Sequence, residues 1–140
     1  MAIILIVDDD PTVRLIAGEM LRCDDHAIVE VEDGDEALKV VSSMPVDLVV
    51  LDMLMPNKDG LETILELRKQ KPGIRILAIS SGGRMEPGYL LRTAMAFGAD
   101  ECLEKPLRLD NFVQVVDRLL TTPSRGSSAD AIPRFGAQAF

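Results

Sequence analysis

The sequence predicts an α/β fold, a parallel sheet with helices packed on both of its faces. Apolar runs that read as strands alternate with helical periodicities five times along the chain. The central run, Leu48-Val49-Val50-Leu51, is apolar at consecutive positions, as in a strand covered on both faces. Hydrophobic residues make up 47% of the chain and aromatics only 4%, so the core is aliphatic. At 140 residues the chain is long enough for one domain with a real core and too short for two.

Residues 2–7 read as a strand buried on both faces, followed by three acids, Asp8, Asp9 and Asp10. Pro11 opens a helix over 12–21 with Val13, Ile16, Ala17, Met20 and Leu21 at helical spacing. Asp10 suits an N-cap, with proline at the first helical position. That role accounts for Asp10. It leaves Asp8 and Asp9, whose mutual repulsion calls for a cation. Residues 26–32 alternate apolar and polar, the pattern of a half-exposed edge strand. An Asp33-Gly34 turn leads to a helix over 35–43 with Ala37, Leu38, Val40 and Val41 inward. The lone His26 stands at the mouth of this strand, away from any other candidate ligand, which speaks against a metal or phosphodonor role.

The central strand stops at Asp52, and Pro56, Asn57 and Gly60 mark a turn behind it. A helix follows from about 59 to 70, with Asp59 and Glu62 at capping-box spacing and Leu61, Ile64, Leu65 and Leu67 inward. Residues 74–79 form a fourth strand ending in Ser80-Ser81, with Ser80 directly after the apolar run. A long Gly-rich loop reaches a helix over 89–97, stopped by Gly98. A short fifth strand, 101–104, ends at Lys105-Pro106, and an amphipathic helix over 109–120 turns Phe112, Val113, Val116, Leu119 and Leu120 inward. The chain then becomes Pro/Ser/Gly-rich. The expected division is one domain over 1–121 and a flexible tail or linker over 122–140.

The net charge of −8 argues against a nucleic-acid or anionic-membrane surface, because phosphates repel such a protein. Cys23 and Cys102 form no disulfide framework and no C-x-x-C pair, as expected of reduced thiols. The 2–7 run is too short for a signal segment, and no stretch approaches bilayer length. A cytoplasmic protein with neither membrane nor direct nucleic-acid partner is expected.

Four of the five strands end in a chemically competent side chain: Asp8 with Asp9, Asp52, Ser80 and Lys105. In an open parallel sheet these ends lie along one edge, where such sheets bind ligands. Three carboxylates there raise one another's pKa unless a cation sits among them, and an oxygen-only ligand set suggests Mg²⁺. Lysine and hydroxyl remain free to bind an anion beside it. A metal, an amine and a hydroxyl around the central Asp52 describe a site for making an acyl phosphate on that carboxylate.

Four stretches carry a family resemblance: Ile6-Val7-Asp8-Asp9-Asp10, Val50-Leu51-Asp52-Met53-Leu54-Met55-Pro56 with Asp59-Gly60, Ile79-Ser80-Ser81, and Gly98-Ala99-Asp100 leading to Lys105-Pro106-Leu107. In this order and at strand ends, they resemble the receiver domain of two-component response regulators, over about residues 2–121. The resemblance implies a flavodoxin-like (βα)5 fold, a doubly wound parallel five-stranded sheet of order 2-1-3-4-5. It implies that Asp52 accepts a phosphoryl group from a histidine kinase or histidine phosphotransfer protein. Mg²⁺ would be held by Asp9 directly, by Asp8 through water, and by Asp52 and the Leu54 backbone carbonyl. Lys105 would bind a phosphoryl oxygen and Ser80 would swing toward it as a switch. Such a domain catalyses only its own phosphorylation and dephosphorylation. It signals by altering a downstream protein's affinity for the surface around its fourth and fifth helices, as a monomer or a phosphorylation-dependent homodimer.

Three features depart from the family pattern, the first being the loop over 81–88, longer and more Gly-rich than is common, which implies an unusual output surface on the helix after it. Cys102 stands three before the lysine, where many members carry a switching Tyr or Phe, and reads better as a small buried residue. Leu54 occupies a variable position near the hydrolytic water, so its apolar side chain implies an altered dephosphorylation rate. A phosphatase of the haloacid-dehalogenase type needs Asp-x-Asp, and Leu54 takes the second place. The remaining alternative is a pseudo-receiver, a protein-binding module that works without phosphorylation.

Overall fold

The computed structural model describes residues 1–55, 59–81 and 89–122. Five strands, β1 (Ile3–Val7), β2 (Ala27–Val31), β3 (Leu48–Asp52), β4 (Arg75–Ser80) and β5 (Glu101–Glu104), alternate with five helices. The helices are α1 (Pro11–Arg22), α2 (Gly34–Ser43), α3 (Gly60–Gln70), α4 (Tyr89–Phe97) and α5 (Leu109–Thr121). All strand pairs are parallel, in the order β2-β1-β3-β4-β5. The half-exposed strand β2 lies at one edge, as its alternating sequence predicts, and β5 lies at the other.

Successive residues of a strand face opposite sides, so the continuous apolar runs feed two cores. Leu5, Val7, Val49, Leu51, Ile76 and Ala78 pack with α2, α3 and α4 on one face. Ile4, Ile6, Leu48, Val50, Leu77 and Ile79 pack with α1 and α5 on the other. Each fully buried Leu, Ile or Val contributes about 1.5–3 kcal/mol relative to exposure, which is why strands this short hold.

Local chemistry fixes the helix ends. The Asp10 carboxylate accepts from Thr12 N–H, Asp33 from Glu36 N–H, and Asp59 from Glu62 N–H, each at 2.9 Å. Helix α4 ends at Gly98, whose φ of +125° only glycine adopts without strain. The N–H of Ala99 closes that end on the Ala94 carbonyl at 2.9 Å. Gly60 is required for space: a Cβ there would lie 2.7 Å from Met53 Cα, so α3 starts hard against the exit of β3.

Three expectations about helix faces need correction. Ile16 and Leu65, expected inward, are each 45% exposed, and Val115, not expected inward, is buried. In α1 the buried arc runs through Ala17, Gly18 and Leu21, which turns Ile16 outward. In α3 Thr63 takes the inward place, made tolerable by its hydroxyl donating to the Asp59 carbonyl at 2.9 Å. His26 is also less isolated than expected: one of its nitrogens lies within 4.8 Å of Asp24 and Asp117 carboxylate oxygens. Its Nδ1 accepts from Ala2 N–H at 3.2 Å, which ties the ring to the start of β1. Apart from Thr122, the expected tail over 122–140 lies outside the described residues, as does the 82–88 loop. Among the described residues no helix is long and apolar enough to cross a membrane.

Candidate functional site at the carboxyl edge of the sheet

Strands β1 and β3 are neighbours in register, with Val7 opposite Leu51, so the next residues out, Asp8 and Asp52, meet at the carboxyl edge. Both are buried. Asp8 is tied from several sides. Its N–H donates to the Val31 carbonyl at 3.2 Å, its Oδ1 accepts from Asp10 N–H at 2.9 Å, and its carbonyl accepts from Arg14 Nη1 at 2.7 Å. Asp52 Oδ1 accepts from Leu54 N–H at 3.2 Å, which draws that stretch of backbone against the carboxylate. Asp9 is exposed, yet one carboxylate oxygen from each of Asp8, Asp9 and Asp52 lies within 4.8 Å of the other two.

Lys105 follows β5. Its N–H donates to the Ser80 carbonyl at 2.7 Å, and its Nζ reaches 2.8 Å from Asp8 Oδ2 and 3.5 Å from Asp52 Oδ1. Burial alone would lower its pKa, but contact with Asp8 and then Asp52 outweighs burial, and the net shift is upward. The ammonium stays charged. Asp52 is driven the other way. Burial first, then the Asp8 and Asp9 carboxylates, raise its pKa from 3.8 to about 6 against the opposing pull of Lys105 and the Leu54 N–H.

Three carboxylates, the buried Asp8 and Asp52 and the exposed Asp9, stand against one ammonium and leave an excess of negative charge at the carboxyl edge. Asp8 Oδ2 is buried and meets Lys105 as a charge contact without an aligned hydrogen bond, so it keeps lone-pair capacity. These oxygen donors fit a hard divalent cation such as Mg²⁺.

Ser80 ends β4 and is fully buried, whereas Ser81 is exposed. Cys102 is half-buried and packs against the core on the α3 side of the sheet; burial, then Glu101 and Glu104, push its thiol pKa up. Leu54 sits beside the site with its side chain 46% exposed. Arg14 escaped the sequence reading. The available signal was a cation at the start of a helix, where the macrodipole favours acids.

A family model for the response regulator receiver domain matches residues 4–117. This chain belongs to the response regulator receiver family. Response regulator MprA of Mycolicibacterium vanbaalenii is 34% identical over 134 residues, covering 94% of this chain and 57% of MprA. Transcriptional regulatory protein GlrR of Escherichia coli is 32% identical over 117 residues, covering 84% of this chain and 26% of GlrR. The receiver thus spans little more than half of one relative and about a quarter of the other. Among solved structures, response regulator TrrA of Thermotoga maritima, in complex with Mg²⁺-BeF, superposes with a TM-score of 0.73 at 34% identity. That match covers 85% of this chain and 99% of TrrA. The chain is a receiver of the flavodoxin-like 2-1-3-4-5 type, a module of two-component phosphorelay signalling.

Proposed function

We propose that Asp52 is the phosphoacceptor of this receiver, charged by the phosphohistidine of a histidine kinase or histidine phosphotransfer protein. The observation that carries the reading is the meeting of Asp8, Asp9 and Asp52 within 4.8 Å, with Lys105 Nζ 3.5 Å from Asp52. An Asp52 oxygen attacks phosphorus as the P–N bond of the donor breaks. The bond's electron pair stays with the imidazole, which takes up a proton. Lys105 stands where it can leave its carboxylate partners for a phosphoryl oxygen, and it offsets the charge developing there. Asp8 and Asp9, with Asp52 and the Leu54 carbonyl, would hold Mg²⁺, which when bound supplies positive charge to the phosphoryl oxygens. Hydrolysis reverses the state: water attacks phosphorus, the P–O bond to Asp52 breaks, and phosphate leaves.

The output of this cycle is a change in a protein-binding surface. Phosphoryl oxygens drawing on Lys105 and the Ser80 hydroxyl bias the β4 and β5 ends and the helices beside them. Tyr89, at the start of α4, and Phe97, at its far end, stand exposed and suit contact with a downstream protein along that helix. Cytoplasmic action and self-phosphorylation without turnover of another substrate belong to this reading. The proximity of Asp8, Asp9 and Asp52 supports this reading over a pseudo-receiver.

Intact-mass spectrometry tests it, after incubation with a small-molecule phosphodonor and Mg²⁺. Wild type gains one phosphoryl adduct, which chelator and the Asp52→Asn substitution each abolish. No adduct, or an adduct that survives Asp52→Asn, rejects Asp52 as the acceptor.

A further inference from the structure

We propose that Arg14 is a positioning residue for the acidic pocket, holding the Asp8–Asp9 peptide in the orientation that presents Asp9 beside Asp8 and Asp52. The inference rests on the phosphoacceptor reading and adds a residue to it. Past Val7 the chain leaves the sheet, and the direction of Asp9 depends on the peptide plane that joins it to Asp8. Arg14 Nη1 donates to the carbonyl of that plane at 2.7 Å. The guanidinium is held in turn: its Nε lies 3.4 Å from Glu30 Oε1 on β2, and the other Glu30 oxygen lies 3.6 Å from Arg22 Nη2. The Arg14 side chain is only 15% exposed, so water competes weakly for these bonds. Position in the helix sharpens the case. A cation near the N-terminus of α1 opposes the macrodipole, and the bond to Asp8 gives a local reason for it. A planar guanidinium serves the carbonyl and Glu30 at once, which an ammonium does not reproduce.

Isothermal titration with Mg²⁺ alone, run beside the rate of phosphoryl adduct formation and urea unfolding in chelator, tests the role in wild type, Arg14→Ala, Arg14→Lys and Glu30→Gln. Arg14→Ala should weaken Mg²⁺ binding about tenfold or more, the scale seen when groups orienting metal ligands are removed. Its adduct rate should return toward wild type at saturating Mg²⁺, while the urea curve in chelator shows the variant folded before metal is added, which separates a weakened site from loss of fold. Arg14→Lys should recover part of the affinity, and Glu30→Gln should lose less than Arg14→Ala. A folded Arg14→Ala that binds Mg²⁺ as tightly as wild type overturns the proposal. If Arg14→Ala does not fold, wild-type affinity in Glu30→Gln overturns it instead. Wild type that binds no Mg²⁺ and takes no phosphoryl group is a different failure: the phosphoacceptor reading falls, and this inference with it.

Discussion

Asp52 is ionised against its surroundings. Burial, followed by the charge of Asp8, lifts its pKa from 3.8 to about 6 in the folded chain. A carboxyl whose folded pKa is raised adds stability that is full below the unfolded value and is lost as pH rises through the folded one. Above pH 6 the ionised group therefore weighs against the fold, and the gap between the two values converts to on the order of 3 kcal/mol. Asn has the same shape without the charge. In chelator, Asp52→Asn should be more stable than wild type near neutral pH by about 1–3 kcal/mol in urea unfolding. That advantage should shrink as pH falls through 6 toward 4. An Asp52→Asn variant less stable than wild type at both ends of that range would show that the carboxylate carries no such strain. Mg²⁺ should narrow the neutral-pH gap by binding the folded wild type preferentially.

At the scale of elements, boundaries were legible where a helix carries its own local signal, an aspartate cap at Asp10 and Asp59 or a glycine stop at Gly98. Asp33, expected in a turn, is the cap of α2, and α5 starts after Arg108 with no side-chain cap. Rotation of a helix about its axis was less legible. Three-and-four spacing admits Ile16 and Leu65 to an apolar face, but Gly18 and Thr63 occupy the inward places, one by smallness and one by bonding its hydroxyl back to the helix. Bonds between distant elements left still less trace. Arg68, a polar position by periodicity, joins α3 to both flanking turns: Nε and Nη2 donate to the Gly98 carbonyl at 2.9 and 2.7 Å, and Nη1 to Ile74 O. Nη2 also meets Asp100 Oδ2 at 2.8 Å, and that oxygen accepts from Ile76 N–H at 2.7 Å. With the Asp100 side chain 4% exposed, removing the guanidinium takes a close charged partner from a buried carboxylate and three hydrogen bonds from the flanking turns' carbonyls. Arg68→Ala should cost about 3 kcal/mol in urea unfolding. Mg²⁺ affinity should hold, since this latch sits at the amino edge of the sheet, across from Asp52. A loss below about 1 kcal/mol would class the pair with weak surface bridges.

Over the whole molecule, alternation of strands and helices dictates a parallel sheet with crossover helices, but it does not say which strands are neighbours. The order 2-1-3-4-5 was legible only through the resemblance to receivers. That order is what makes a site of the strand ends, because placing β1 next to β3 sets Asp8 against Asp52. It also leaves the sheet as a wall between two cores, one holding Ile64 with α2 and α4, the other holding Leu21 with Phe112 of α5. Leu21→Ala should cost about 2–5 kcal/mol and Ile64→Val about 0.5–1.5. With the wall between them, the double variant should lose the sum to within about 0.5 kcal/mol by urea unfolding. Additivity would mean that each core relaxes by itself. A change at Asp52 would then have to travel along the carboxyl edge, through Ser80 and Lys105, to reach α4 and α5. A coupling above about 1 kcal/mol would show that the sheet transmits packing strain from face to face, and the route from Asp52 to its output surface would have to include the core.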